Sequence, residues 1–72
     1  MRRITPVHYR TDANDRRLAD EIMRRAGFDA NDVLEIRVSE QGVEIDRLIR
    51  GPSGRPILNC GELVWTTWRL PT

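Results

Sequence analysis

The stretch Val33-Leu34-Glu35-Ile36-Arg37-Val38-Ser39-Glu40-Gln41-Gly42-Val43-Glu44-Ile45-Asp46 decides the fold. From Val33 to Val38 the chain alternates, with Leu34, Ile36 and Val38 on one face and Glu35 and Arg37 on the other, the period of a half-buried strand. Ser39-Glu40-Gln41-Gly42 has serine at the first and glycine at the last position of a type I turn. Val43 to Arg50 resumes the alternation, with Val43 and Ile45 opposed to Glu44 and Asp46. Pairing Val38 with Val43 and Ile36 with Ile45 keeps the apolar side chains together and sets Arg37 opposite Glu44. A slip of one residue would put Ile45 opposite Arg37, so the register is firm. The result is a hairpin with one apolar face that must be covered.

The cover lies upstream. Thr11 or Asp12 can cap a helix, and Asp12 and Asp15 place negative charge at its start. Leu18, Ala19, Ile22, Met23 and Ala26 follow at helical spacing and span an arc of roughly 140°, one core-facing stripe. Gly27 supplies the stop, and Phe28 stands where a Schellman cap places an apolar contact back to Met23. Arg24 and Arg25 suit the last turn, and Asp20–Arg24 and Glu21–Arg25 are i,i+4 pairs with the acid first. Before the helix, Ile4, Val7 and Tyr9 allow an extended segment, which Pro6 confines to an edge or a kink. If Ile4 to Tyr9 joins the sheet, a right-handed β–α–β arrangement opens the fold.

Downstream of the hairpin, Gly51-Pro52-Ser53-Gly54-Arg55-Pro56 is a loop by composition. Ile57-Leu58 suits a short strand and Asn59-Cys60-Gly61 a turn. Glu62 to Leu70 reads as a last strand that is apolar on both faces, with Leu63 and Trp65 on one and Val64, Trp68 and Leu70 on the other. One helix covers only one face of a small sheet. The second apolar face therefore calls for the N-terminal segment or another protein. The expected architecture is α+β, one amphipathic helix packed on a three- to four-stranded, mainly antiparallel sheet, in the order (β)αββ(β)β. Residues 1–72 read as a single small domain, with 1–10 an N-terminal arm or edge strand.

Composition narrows the function classes. Seventy-two residues bury only roughly 60% of the surface the unfolded chain exposes, so the stability margin is thin. The lone Cys60 rules out an intramolecular disulfide, and one histidine far from it in sequence makes a poor metal staple; a partner chain is the help that is left. The twelve cationic residues are all arginines, which points to a GC-rich coding sequence. Set against 11 acids they leave a net charge of +1, unlike the basic excess of a dedicated polyanion binder. No apolar stretch approaches 18 residues, and no apolar run follows the charged Met1-Arg2-Arg3 start. The expected setting is a reducing cytoplasm, for a soluble intracellular protein.

The junction Gly27-Phe28-Asp29-Ala30-Asn31-Asp32-Val33, the hairpin after it and Gly54-Arg55-Pro56 resemble, in that order, small proteins encoded by bacteriophages of GC-rich actinobacterial hosts. The resemblance covers roughly residues 12–70. It implies an accessory or host-interaction protein acting inside the bacterial cell, and carries over no functional residues.

Catalytic groups are sparse. His8 has no nucleophile beside it, and Cys60 would need a histidine within reach to act as one. Glu44 and Asp46 share a strand face as glycosidase carboxylates do, but that chemistry also needs a cleft and one raised pKa. They read better as partners of arginines. No phosphate-cradling glycine loop or metal spacing is present, so neither an enzyme, a cofactor nor a metal site is expected. Arg2, Arg3, Arg10 and Arg17 could lie on phosphate, making a small nucleic-acid-binding regulator the alternative, although Asp20 and Glu21 alternate with the helix arginines. The favoured expectation is a non-catalytic protein–protein interaction module. Trp65, Trp68, Arg55 and Leu63 are its candidate surface, since tryptophan and arginine are enriched among interface hot spots. The expected partner is a second copy in a homodimer, a bacterial host protein or a phage protein.

Overall fold

A computed structural model describes residues 1–70 of the chain. Along it run β1 (Arg2–Ile4), α1 (Pro6–Thr11), α2 (Ala13–Ala26), a 3-10 turn (Ala30–Asp32), β2 (Val33–Ser39), β3 (Gly42–Leu48), β4 (Leu58–Asn59), β5 (Glu62–Leu63) and β6 (Trp65–Leu70). Four strands form an antiparallel sheet in the order β1-β2-β3-β6, and β4 and β5 form a separate two-stranded ribbon. The α+β architecture matches the sequence expectation.

Helix α2 forms where its caps allow. The Asp12 carboxylate accepts hydrogen bonds from the backbone N–H groups of Asn14 (2.8 Å) and Asp15 (3.3 Å), satisfying donors that the first turn leaves free. At the other end Gly27 takes φ +73°, Phe28 N–H donates to the Met23 carbonyl and Gly27 N–H to that of Arg24, the two bonds of a Schellman ending. Ala19, Ile22 and Met23 face inward and meet Ile4, Val33, Ile36 and Ile45 in one cluster, with Ile36 and Ile45 fully buried.

The hairpin pairs as expected: Val38 with Val43, Arg37 with Glu44 and Ile36 with Ile45. One detail differs. The register shifts between Val33 and Glu35, so Val33 pairs with Arg47 and is buried while Leu34 is only half-buried and outside the core cluster. A β-bulge adds a residue to one strand and exchanges which neighbour faces inward, and alternation alone does not reveal it.

The N-terminal segment also corrects the expectation. Only Arg2–Ile4 is extended, pairing antiparallel with β2 and placing the buried Ile4 beside Ile36. Because β1 and β2 are antiparallel neighbours, there is no parallel β–α–β unit. Pro6 is not a kink in a strand but sits at the start of α1, where a missing N–H costs nothing. Val7 is therefore exposed and Tyr9 packs on the core edge from a helix. The expected last strand from Glu62 is two pieces, broken at Val64, whose N–H donates to the Ile57 carbonyl while its own carbonyl accepts from Ile49.

Candidate protein-interaction surface

Strand β6 fixes the position of both tryptophans. It pairs with β3 without a register break, Ile45 opposite Trp68, Asp46 opposite Thr67 and Leu48 opposite Trp65. Since residues directly opposite share a face, Trp68 lies on the helix-covered side with Ile45, and Trp65 lies on the other side with Leu48. Neither is a core residue. Trp65 is 51% exposed and Trp68 47% exposed. Trp68 touches Phe28 edge to face at a centroid distance of 5.7 Å, and the Arg47 guanidinium stacks on the other aromatic, 4.4 Å from the Phe28 centroid. Phe28, two residues past the end of α2, gives Trp68 only partial cover.

Around Trp65 more apolar surface is bare. The β4–β5 ribbon turns through Cys60 and Gly61 at φ +53° and +81°, both in the left-handed region, as a two-residue type I′ turn requires. Leu58 pairs with Leu63, and both are exposed, as is Ile57. A ribbon of two residues a side has no sheet face large enough to bury them. Ile57 N–H donates to the Ile49 carbonyl, which fastens the ribbon to the end of β3 where Leu48 meets Trp65. Leu63 and Trp65 therefore share one end of the molecule with Ile57 and Leu58. The last two were missed in the sequence, where they read as one more strand.

The loop before the ribbon is tied down. Gly51 N–H donates to the Arg55 carbonyl (2.8 Å), Gly54 N–H to that of Gly51, and the Arg50 guanidinium bonds both the Gly54 carbonyl (2.8 Å) and the Asp32 carboxylate (2.7 Å). Arg50 thus clamps the loop to the 3-10 turn. Arg55 is exposed at the same end of β3 as Trp65.

The open face of the main sheet is ionic. Arg37 reaches both oxygens of Asp46 (2.6 and 2.8 Å) and one of Glu35 (2.7 Å), with Glu44 at 3.7 Å. Arg69 on β6 approaches the other oxygen of Glu44 at 3.3 Å, and Thr67 donates its hydroxyl to Asp46 (2.8 Å). Hydrogen bonding from Arg37, opposed by desolvation and helped by Thr67, holds the Asp46 carboxyl below the usual carboxylate range. Hydrogen bonds to Asp46 and Glu35 raise the Arg37 pKa further above neutrality. Glu44 and Asp46 are partners of arginines here.

The arginines of the alternative reading are dispersed. Arg2 pairs with Asp15, and Arg3 lies opposite Arg37 in the sheet. Arg10 sits on α1, and Arg17 shares a surface depression of α2 with Asp20, Glu21 and Arg24. His8 accepts from the Thr5 N–H through Nδ1 (3.2 Å) at the start of α1, and Cys60 is exposed on the ribbon turn. Among the described residues no group of three His, Cys, Asp or Glu side chains is placed to hold a metal ion, and no described helix is long and apolar enough to cross a membrane. Comparison with protein-family models, with curated proteins and with solved structures finds no match.

Proposed function

We propose that this chain is a non-catalytic protein-interaction module of bacteriophage type, acting in the bacterial cytoplasm on a host or phage protein and able to associate with itself. The observation that carries this is the exposure of both tryptophans of β6, one on each face of a sheet edge. Large aromatics left half in water at an edge are the material of interface hot spots. Leu58, Leu63 and Ile57 extend the apolar patch from Trp65, and Arg55 adds a guanidinium at its border. The phage part of this proposal rests on the resemblance of the Gly27–Val33 junction, the hairpin and Gly54-Arg55-Pro56 to small phage proteins.

The test is capture from an actinobacterial lysate with tagged wild-type chain and with Trp65→Ala, with and without nuclease. A protein retained after nuclease treatment and lost from the variant supports the module. Material that disappears with nuclease transfers the role to Arg2, Arg3, Arg10 and Arg17 on a nucleic acid, and binding would then fall steeply with salt.

A further inference from the structure

The two edges of the main sheet are not equivalent. Strand β1 is three residues long and ends two residues before Pro6, so it offers little backbone to pair with. Strand β6 has six residues, Trp65-Thr66-Thr67-Trp68-Arg69-Leu70, without a proline, lysine or bulge, and four of them are aromatic or β-branched. No described strand lies beyond it.

The direction of its backbone groups follows from the pairing. The two-residue turn makes Ser39 and Gly42 a hydrogen-bonded pair, so Gly42, Glu44 and Asp46 turn their N–H and C=O groups to β2, while Val43, Ile45 and Arg47 turn theirs to β6. The Ile49 N–H donating to the Val64 carbonyl fits the same alternation. On β6, Thr66, Trp68 and Leu70 thus bond inward, and Trp65, Thr67 and Arg69 present their backbone groups to the open edge.

We propose that a second copy of this chain pairs antiparallel with this edge about a two-fold axis through Thr67, joining the two sheets into one. This rests on the interaction-module reading and names its partner. A two-fold axis normal to the sheet keeps each face continuous, and with Thr67 opposite Thr67 of the second copy every outward backbone group finds its counterpart, because Trp65 then faces Arg69 and Arg69 faces Trp65. Side chains match as well. On the ionic face each Arg69 guanidinium, already beside Glu44, lies against a Trp65 indole, a cation–π pair repeated by symmetry. On the helix face Thr66 lies opposite Trp68, which Phe28 backs. The chain also carries surface to lose. It exposes 5429 Å², whereas a compact monomer of its mass exposes about 4,600 Å²; the excess is comparable to the ~800 Å² that one partner contributes to a standard interface.

Sedimentation equilibrium of the full chain tests this with three variants. Wild type is expected to be dimeric at about 0.1 mM. Thr67→Pro removes an outward N–H and obstructs a neighbouring strand; it loses the Thr67 hydroxyl bond to Asp46 but no backbone hydrogen bond between β3 and β6, so it is expected to be monomeric with its circular dichroism retained. Trp65→Arg sets like charges opposite each other twice and is expected to weaken the dimer at least about tenfold; Trp65→Arg with Arg69→Glu is expected to recover it. That recovery is specific to this register and does not depend on the proline variant folding. A monomeric wild type, or a Trp65→Arg/Arg69→Glu variant no tighter than Trp65→Arg, overturns the proposal. If a monomeric wild type still retains a lysate protein in a Trp65-dependent way, the module reading stands without the dimer; if it does not, both fall.

Discussion

Arg37 organises the open face of the sheet. It is mostly buried among Glu35, Glu44 and Asp46, all on two adjacent strands, and its removal leaves three carboxylates facing one another. Stranding charges in this way costs more than the pair itself contributes. Arg37→Ala is expected to destabilise the fold by about 2 kcal/mol at neutral pH, measured by urea unfolding. The pH dependence has a defined sign. Because the folded-state pKa of Asp46 is lowered, its contribution is present above the unfolded value near 3.9 and is lost as pH falls through the folded pKa. In Arg37→Ala the carboxylates repel instead, so protonation relieves them, and the gap between wild type and variant is expected to narrow as pH falls towards about 3. A gap that stays constant with pH would show that Arg37 acts through packing of its aliphatic stem.

Elements depend on a few backbone positions. Gly27 at φ +73° has nothing within 4 Å of the place a Cβ would occupy, so Gly27→Ala meets no clash and costs only conformational strain. Its expected effect is a loss of about 1 kcal/mol in chemical denaturation. The opposite change is available at Cys60, the one non-glycine residue with positive φ among those described. Asparagine is preferred at the first position of a type I′ turn, so Cys60→Asn is expected to raise the thermal midpoint slightly, by a few tenths of a kcal/mol in stability. A fall would mean that the ribbon turn is held by contacts of the thiol. These elements were legible in the sequence to different degrees. Helix α2 and the β2–β3 register could be read because period, caps and turn residues agree. The bulge at Leu34 and helix α1 could not. The first depends on Val33 joining the buried cluster with the residues of α2, and the second on Pro6 starting a helix too short to carry a periodic pattern.

At the scale of the whole molecule, one helix layer on a four-stranded sheet leaves the β6 edge and the β4–β5 ribbon outside the core. The Cα radius of gyration, 12.6 Å, exceeds the roughly 11 Å of a compact chain of this length. A domain with so small a core and so much bare apolar surface gains stability from whatever covers it. If a second copy does, the thermal midpoint is expected to rise with protein concentration, which calorimetry across a hundredfold dilution measures; a constant midpoint would mean a monomer that unfolds alone. The sequence by itself determined the fold class, the helix with its glycine stop, the hairpin register and the presence of more apolar residues than one helix can cover. These follow from local periodicity and turn chemistry, which act within a few residues. Which tryptophan meets Phe28, that both stay half-exposed, and that Trp65, Leu63, Leu58 and Arg55 gather at one end of β3 were decided only by tertiary structure. They depend on Phe28 reaching Trp68 and on the break at Val64, and contacts between segments so distant in the chain leave no period to read.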